Sequence, residues 1–174
     1  MKPEDCILFS GAAQGAEAAF GEAAERYGIE EVNFTFEGHT DARTRGLRVL
    51  TREELKHGDV SLAYVSKLMH RKYPDTPLFR KVLQTIWHQV QNGQEVFLVG
   101  KINPDDTVTG GTGVAAEYAK ILNKPLYCFD QERDGWRPEA SPAIRQPHFC
   151  GTGTRFLNAK GQAAIDALLA RSFG

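Results

Sequence analysis

Three clusters of glycine could present bare backbone to a ligand. They span residues 11–15, 110–113 and 151–153, and each follows or shortly follows an apolar run that predicts a β-strand. In an open parallel sheet, the carboxyl ends of the strands meet the amino ends of the helices, where unpaired N–H groups and the helix dipole attract an anion. Glycine lets a phosphate approach the backbone, but it also serves tight turns and close packing. The clusters therefore predict a phosphate site, with a purely structural role as the alternative.

Residues within and beside the clusters are the candidate ligand-binding residues. At the second cluster, a helix start would hold a phosphate with Gly110, Gly111, Thr112 and Gly113. The first cluster would face a sugar or a second phosphate with Ser10, Gly11, Gln14 and Gly15. The third would form another wall from Thr152, Gly153, Thr154 and Arg155. The planar guanidinium of that arginine suits phosphate, although a surface arginine at a helix start is an equally good interpretation.

Other polar residues near predicted strand ends are secondary candidates. Asp130 ends a predicted strand and could bind ribose hydroxyls, or it could cap a turn. His39 could act as a general acid or contact a ligand. Three arginines follow it in the loop and could gather a phosphate: Arg43, Arg45 and Arg48. The alternative for this segment is a solvated, mobile loop.

The remaining chemistry-bearing residues favour structural roles. Trp136 could cover a base as an aromatic lid, but we expect it to anchor its loop on the core. Three cysteines without paired spacing indicate neither a disulfide framework nor a zinc site, and Cys6 and Cys128 lie in apolar runs typical of a core. Cys150 has only His148 nearby, across a strand, so we do not expect a cysteine nucleophile. We expect no metal and no cofactor.

The elements that must position these residues alternate between short β runs and longer helical runs, as in a mostly parallel sheet flanked by helices. About five strands are predicted, at 6–10, 31–36, 95–100, 125–130 and close to residue 148. Helices are predicted at 16–28, 52–72 and 77–91, from near Val114, and after an N-cap at Asn158. In the third of these, Trp87 falls on the apolar stripe and His88 on its flank.

Length, composition and charge restrict the class of protein. The 174 residues, 41% hydrophobic and 25% charged, predict one α/β domain spanning 1–174. A formal charge of -1 gives no basic field for nucleic acid or a membrane surface, so a small ligand is favoured. No segment approaches the roughly 20 apolar residues of a membrane span. We expect a cytoplasmic protein.

Two glycine segments also resemble a known superfamily. "GGTGVAAE" (110–117) is similar to the G-G-x-G-T-x-x-E signature of the SLOG superfamily, with Val114 in place of threonine. "SGAAQGAE" (10–17) is similar to its S-G-G-x-x-G-A-D loop, with Ala12 and Glu17 as departures. That superfamily includes lonely-guy type phosphoribohydrolases and DNA-processing Smf proteins. Further segments, such as "KPLYCFDQ" (124–131), resemble an uncharacterised SLOG-like family over nearly the full length.

The resemblance implies a Rossmann-like three-layer sandwich that binds a nucleotide or nucleotide derivative across its glycine loops. It also implies a role for Glu117, because the matching glutamate of the phosphoribohydrolases acts near the ribose. A carboxylate there could stabilise an oxocarbenium-like centre or activate water; alternatively, an acid near a helix start only stabilises the helix. Those enzymes use an arginine upstream of the glycines. The segment 101–109 contains none, and Lys101 is the nearest substitute.

Three functions of different classes follow. The first, which we favour, is a module that senses or sequesters a nucleotide-type small molecule. The second is a hydrolase that cuts the N-glycosidic bond of a nucleoside monophosphate with Glu117. The third is an interaction protein, in which the glycines only build the fold and the helices between 52 and 91 form a face for homo-oligomers.

Overall fold

The computed structural model describes residues 1–73 and 76–174. The strands are β1 (Ile7–Gly11), β2 (Glu30–Thr35), β3 (Leu47–Val49), β4 (Glu95–Gly100), β5 (Leu126–Asp130), β6 (Gly135–Arg137) and β7 (His148–Gly153). The helices are α1 (Ala16–Arg26), α2 (Arg52–Leu55), α3 (Asp59–Leu68), α4 (Pro77–Asn92), α5 (Gly111–Ile121) and α6 (Ala159–Phe173). Short 3₁₀ turns span Pro3–Asp5 and Lys56–Gly58.

The strands form a single sheet in the order β3-β2-β1-β7-β4-β5-β6. All neighbours are parallel except β6, which pairs antiparallel with β5. The predicted α/β class and mostly parallel sheet are confirmed, but the sheet has seven strands rather than about five. The two additional strands, β3 and β6, are three-residue edges: β3 directly follows the polar segment 37–46, and β6 lies within the polar, proline-containing segment 131–147. Such short runs carry too little periodicity to be recognised.

Helices cover both faces of the sheet and make three layers. On one face, α1 and α6 bury a core around Phe20, Phe97 and Leu168. On the other face, α3, α4 and α5 bury a second core that includes Val65, Leu83, Val96 and Val114. The central strand β4 is buried along its whole length because it lies between these two cores. Its continuous apolar run is the sequence signature of a strand covered on both sides.

The predicted helix at 52–72 is wrong in extent. The capping box of Thr51 and Glu54 forms as expected, but α2 ends at Leu55 and a 3₁₀ turn leads into α3. Gly58 lies at this break, where an added Cβ would come within 2.5 Å of the Trp87 ring. Close packing against α4 therefore sets the bend. The helix then ends at Leu68, before His70 adopts a φ of 51°.

Helix α4 buries the predicted apolar stripe, but the burial of Trp87 and His88 is reversed. His88 is buried and Trp87 is only partly buried, the reverse of the expectation. The His88 ring packs 5.6 Å from Phe34, and its Nε2 lies 2.6 Å from the carbonyl oxygen of Glu54. The indole covers Gly58 instead. Helical spacing alone cannot tell which side of an apolar stripe the next element will cover.

Burial of His88 makes stability depend on pH. Desolvation lowers the pKa of His88 below its ordinary value, so the unfolded chain binds more protons. This contribution to stability is fully present above about pH 6.5, the ordinary pKa of histidine, and is lost as the pH falls from there through the lowered pKa of the folded state. We expect urea unfolding to give a smaller free energy at pH 5.5 than at pH 7.5, and His88→Gln to reduce that difference. An unchanged pH dependence in the variant would show that other groups cause it.

Three further predictions concern local structure. Trp136 is buried against Phe97 and Phe129, so its role as an anchor is confirmed. Asn158 caps α6 by accepting a hydrogen bond from the Gly161 amide at 2.9 Å. The third glycine cluster, by contrast, lies within β7 rather than in a loop after it. Helix α5 likewise begins at Gly111, earlier than predicted, which places three residues of the second cluster inside the helix.

Candidate functional site

Because β1, β7, β4 and β5 run parallel, their carboxyl ends lie along one edge of the sheet. The first half of the sheet adds β2 and then β3 on one side of β1, and the second half adds β5 and then β6 on the opposite side of β4. Strand β7 lies between β1 and β4. The order thus reverses between β1 and β4, and such a switch point is where open α/β sheets bind ligands. The first and second glycine clusters follow β1 and β4 on either side of this point.

The first cluster is packed against the residues that follow β7. Gly15 has a φ of 94°, and an added Cβ would lie 2.5 Å from the carbonyl oxygen of Thr154 and from the Cα of Arg155. The same carbonyl oxygen accepts a hydrogen bond from the Ala16 amide at 2.9 Å. This glycine is therefore required for close backbone approach, and no ligand fits between the two segments. Gln14 is exposed at the rim.

A buried carboxylate occupies the crevice between β1 and β7. The Thr152 hydroxyl and the Gln89 amide nitrogen donate to Glu17 Oε1 at 2.8 and 3.1 Å, and the Ala13 amide donates to Oε2 at 3.1 Å. Gly11 provides the space, since an added Cβ would lie 2.3 Å from that carboxylate. The Glu17 carboxylate thus occupies the place where the sequence predicted that a ligand would bind.

Ser10 and Thr152, two of the predicted ligand contacts, are used internally. The Ser10 hydroxyl donates to the Gly151 carbonyl oxygen at 2.6 Å, and the hydroxyl of Thr152 is held by Glu17. An added Cβ at Gly153 would lie 2.3 Å from the Val99 carbonyl oxygen, so this glycine also serves close packing. In the sequence, Glu17 stands out only as a departure from the motif of the first glycine loop. Its partners Gln89 and Thr152 are far away in the chain, so no local pattern predicts this buried carboxylate.

The second glycine cluster has free space beside Gly110, whereas the first and third clusters are packed against other parts of the chain. Gly110 is exposed, adopts a φ of 69°, and an added Cβ would meet nothing within 4 Å. It precedes α5, so the amides of Gly111 and Thr112 are first-turn donors without intrahelical partners. The Gly113 amide bonds to the Gly110 carbonyl oxygen at 3.0 Å. Together, the two first-turn amides and the helix dipole form the most favourable place for an anion in this edge.

Thr112 and Gly113 support this helix start from below. The Thr112 side chain is buried and packs against Gly100, whose added Cβ would lie 3.4 Å from its Cγ2. An added Cβ at Gly113 would come within 2.1 Å of the Val108 carbonyl oxygen. Thr112 and Gly113, both predicted as ligand-binding residues, therefore support the start of α5 through their backbone and packing; their side-chain positions do not face a ligand.

A rigid arch between β4 and α5 presents the helix start. Ile102 and Val108 pair as an antiparallel bridge, and the Asn103 amide donates to the Thr107 carbonyl oxygen at 2.7 Å. Side-chain bonds reinforce the arch: the Thr109 hydroxyl donates to Asn103 Oδ1 at 2.9 Å, and the Thr107 hydroxyl to Asp105. These hydrogen bonds from Thr107 lower the pKa of Asp105. The arch fixes the position of Gly110 before any ligand binds.

An arginine from outside the arch lies beside the first turn of α5. Arg71 Nη1 donates to the Val108 carbonyl oxygen at 2.7 Å, and Nη2 to the Thr107 hydroxyl at 3.1 Å. Both acceptors are neutral, so these bonds orient the guanidinium. Its charge is balanced in part by the exposed Asp105 carboxylate, which accepts from the same Thr107 hydroxyl and whose pKa Arg71 helps to lower. Its Nη1 also lies 2.7 Å from the position of a Cβ at Gly113. Arg71 was not predicted from the sequence, because it lies far before the segment 101–109 that directly precedes the second glycine cluster.

Lys101, the nearest cation by sequence, points to a different partner. Its Nζ lies 2.9 Å from Glu132 Oε1 on the exposed surface. Arg71 rather than Lys101 therefore supplies positive charge at the second glycine cluster.

Glu117 lies deeper in α5 than the predicted helix start implied. It is the seventh residue of the helix, its side chain is 8% exposed, and its Oε1 accepts from Lys120 Nζ at 3.0 Å. Gly113, which lies one turn closer to the amino end of α5, is on the same face of the helix as Glu117. The carboxylate is thus buried on the same face as the arginine contact, below the exposed helix start.

Asp130 caps the end of β5. Its Oδ1 accepts from the amides of Glu132 and Arg133 at 2.9 and 3.3 Å, and its Oδ2 from the Ile102 amide at 3.3 Å. These bonds fasten the turn after β5 to the arch after β4. The arrangement matches the turn-capping alternative.

Arg155 is exposed and stacks over the ring of Phe156 at 5.6 Å. That ring is itself 79% exposed. The Phe156 amide donates to the Thr154 hydroxyl at 3.0 Å, which orders the turn. Arg155 of the predicted third wall and the neighbouring Phe156 thus keep a polar and an aromatic group exposed at the rim.

The loop after β2 is held in place by many contacts, and its arginines are already paired with carboxylates of the chain. Arg43 bonds to Glu31 and Glu25, Arg45 bonds to Glu31, and Arg48 pairs with Glu54. His39 Nδ1 lies 2.7 Å from Asp41 Oδ1, and the Ala42 amide donates to the Ala12 carbonyl oxygen at 2.6 Å. Both earlier interpretations of the three arginines are corrected: they neutralise carboxylates of the chain.

The three cysteines are buried and unreactive by their surroundings. Burial raises the pKa of Cys150, and it raises that of Cys128 to about 12. Within the described residues, no group of three His, Cys, Asp or Glu side chains could hold a metal ion. No helix of the described ranges is long and apolar enough to cross a membrane.

Surface shape does not by itself select the glycine edge. Two hollows among the described residues lie along α6, one beside Trp136 and one beside Gln131 and Asn158. Both are shallow, and neither includes a glycine cluster. Any recognition of an anion at the start of α5 would therefore depend on its backbone amides and nearby positive charge.

Comparison with known proteins shows the fold. The crystal structure of a protein described as "Putative molybdenum carrier protein" from Syntrophus aciditrophicus SB is similar to this chain, with a TM-score of 0.60 and 14% identity. The similarity covers 98% of this chain and 96% of that one. No protein-family model matches the chain, and no curated protein is significantly similar to it in sequence. The Rossmann-like sandwich is thus confirmed, while membership of the SLOG superfamily stays a prediction.

Proposed function

We propose that this protein binds a phosphate-bearing small molecule of the nucleotide class at the start of α5. The observation that carries the proposal is the combination at Gly110–Thr112: an exposed glycine with open space above it, two first-turn amides, and the Arg71 guanidinium against the same turn. A cation beside a helix amino end is unfavourable when the site is empty, because the dipole is also positive there. A bound anion removes that repulsion.

The rim supplies groups for the rest of such a ligand. Gln14, Arg155 and the exposed Phe156 ring lie on turns at the same edge, and the Thr154 amide ties the third turn to β4 through the Val99 carbonyl oxygen at 2.8 Å. Stacking on an exposed aromatic ring favours a planar base. A phosphate on α5 with a base toward this rim is consistent with a nucleotide.

The similarly folded molybdenum protein suggests one more ligand class. Molybdate, like phosphate, is a tetrahedral oxyanion that accepts hydrogen bonds from backbone amides. We therefore include it as a probe, since the geometry at Gly110–Thr112 recognises the oxyanion and not the central atom.

A nucleotide N-glycosidase is the second candidate. The observation that favours it is the buried Glu117 carboxylate on the same face of α5 as Gly113, the glycine against which Arg71 packs. A carboxylate in a dry setting could stabilise positive charge at an anomeric carbon. Its bond to Lys120 would have to rearrange for the carboxylate to reach the edge.

One experiment separates these functions. Purified protein is incubated with adenosine, AMP, ADP, inorganic phosphate and molybdate, and both the thermal midpoint and the release of free base are measured. We expect AMP or ADP to raise the midpoint and adenosine to leave it unchanged. Base release that Glu117→Gln abolishes would support the glycosidase. A midpoint that no phosphate compound raises, without base release, would contradict both proposals.

A further inference from the structure

A histidine and an aspartate are bonded to each other at the carboxyl end of β2. His39 Nδ1 and the Thr35 hydroxyl oxygen each lie 2.7 Å from Asp41 Oδ1. The side chains of His39 and Asp41 are 13% and 22% exposed. The ring of Phe36 supports the imidazole, with the two ring centres 4.8 Å apart. These contacts hold the imidazole in one orientation.

The aspartate also determines which ring nitrogen of neutral His39 carries the proton. The Thr35 hydroxyl donates to Asp41, so the carboxylate is the acceptor of both bonds and Nδ1 is the nitrogen that holds the proton. Nε2 then keeps a lone pair. It bonds to no described residue, and it is not one of the buried polar atoms of the described chain that lack a partner, so it is open to solvent. The pair therefore offers one fixed hydrogen-bond acceptor at the surface.

This acceptor lies at the same edge of the sheet as the start of α5, beyond the first glycine turn. The loop that carries it is bonded to that turn, because the Ala42 amide donates to the Ala12 carbonyl oxygen at 2.6 Å. Strands β1 and β7 separate β2 from β4, so about 14 Å lies between the ends of β2 and β4. An extended nucleotide with its phosphate on α5 and its base across the first turn can reach His39 with the outer edge of the base.

We propose that His39 selects the base of the ligand and favours adenine or cytosine nucleotides; this inference rests on the proposed function at α5. Adenine and cytosine carry an exocyclic amine on the edge far from the ribose, where guanine, hypoxanthine and uracil carry a carbonyl oxygen. An amine donates to Nε2, whereas a carbonyl oxygen would face its lone pair. A site built to accept a hydrogen bond discriminates against a ligand that lacks the donor.

Isothermal titration with AMP, IMP and purine riboside 5′-monophosphate tests the inference. The last compound lacks the amine and has no carbonyl oxygen in its place. We expect AMP to bind about three- to tenfold more tightly than either analogue, as one hydrogen bond to a neutral acceptor allows. His39→Phe keeps a ring against Phe36 but removes the acceptor. It should lower the affinity for AMP to that for purine riboside monophosphate.

Asp41→Asn tests the aspartate as a positioning residue. The new carboxamide oxygen can still accept from Thr35, while its nitrogen donates to His39 Nδ1 and moves the histidine proton to Nε2. Nε2 then becomes a donor, which suits the carbonyl oxygen of IMP. The preference should therefore change from AMP to IMP, a reversal that simple loosening of the loop would not produce.

His148→Gln is the matched control, because this exposed histidine begins β7 at the opposite edge of the sheet. It should leave the preference for AMP unchanged, and circular dichroism should show that all variants remain folded. Equal binding of AMP and IMP to the unchanged protein would overturn the inference but leave the phosphate site at α5. A preference that survives His39→Phe, or that His148→Gln also removes, would overturn it as well. If none of the three compounds binds, the proposed function fails together with the inference.

Discussion

Gly111→Pro should weaken the binding of a phosphate ligand about tenfold to 150-fold, which corresponds to about 1.5–3 kcal/mol for a lost hydrogen bond to a charged group. Gly111 is the first residue of α5, where proline fits the helix but carries no N–H. The preceding Gly110 has a ψ of -156°, outside the α region that a following proline disfavours. The variant therefore removes one donor and keeps the helix. Isothermal titration with AMP and with inorganic phosphate measures the change.

Gly111→Ala provides the control for this experiment. An added Cβ would make ordinary contacts, with the nearest atom, Leu83 Cδ2, at 3.4 Å, and the amide is retained. We expect binding within about threefold of the unchanged protein, because the donor remains. Equal losses in the proline and alanine variants would point to a steric effect and contradict a direct role for the amide. Unchanged binding in both would place the ligand elsewhere.

Arg43→Ala should lower the free energy of unfolding by about 3 kcal/mol, because it leaves a buried carboxylate short of its main partner. The Glu31 side chain has no exposed surface, and Arg43 donates to it through Nε at 3.0 Å and Nη2 at 2.6 Å. These bonds raise the pKa of Arg43. Arg45 and Asn33 still donate to Glu31 at 2.9 Å each, which keeps the loss at the lower end of the usual range. Urea unfolding at neutral pH measures it.

Arg48→Ala is the comparison variant for this network. Its guanidinium pairs with Glu54 on the exposed surface, where solvent and salt screen the interaction. We expect little change in unfolding free energy. If the two variants were equally stable, Glu31 would have to be neutral or hydrated in the folded protein, and the ion-pair interpretation of the loop would be wrong.

The glycine clusters show what sequence could predict about the site and what it could not. Their place after the strands follows from local patterning, and the structure does bring the first and second clusters to one edge on either side of the switch point. Their purposes differ, however. Gly15 and Gly153 permit close backbone approach, Gly11 makes room for Glu17, and only Gly110 has open space above it. A glycine that avoids a clash and a glycine that admits a ligand are the same residue in the sequence.

Short-range patterns in the sequence by themselves determined the α/β class, the buried central strand β4, the capping box at Thr51 and the cap at Asn158. Each depends on residues a few positions apart, so propensity, periodicity and capping chemistry suffice to predict it. Tertiary structure alone decided that Glu17 meets Gln89 and Thr152, and that Arg71 meets Val108. Those contacts join residues far apart in the chain. Their energies depend on which elements pack together, and no local pattern encodes that.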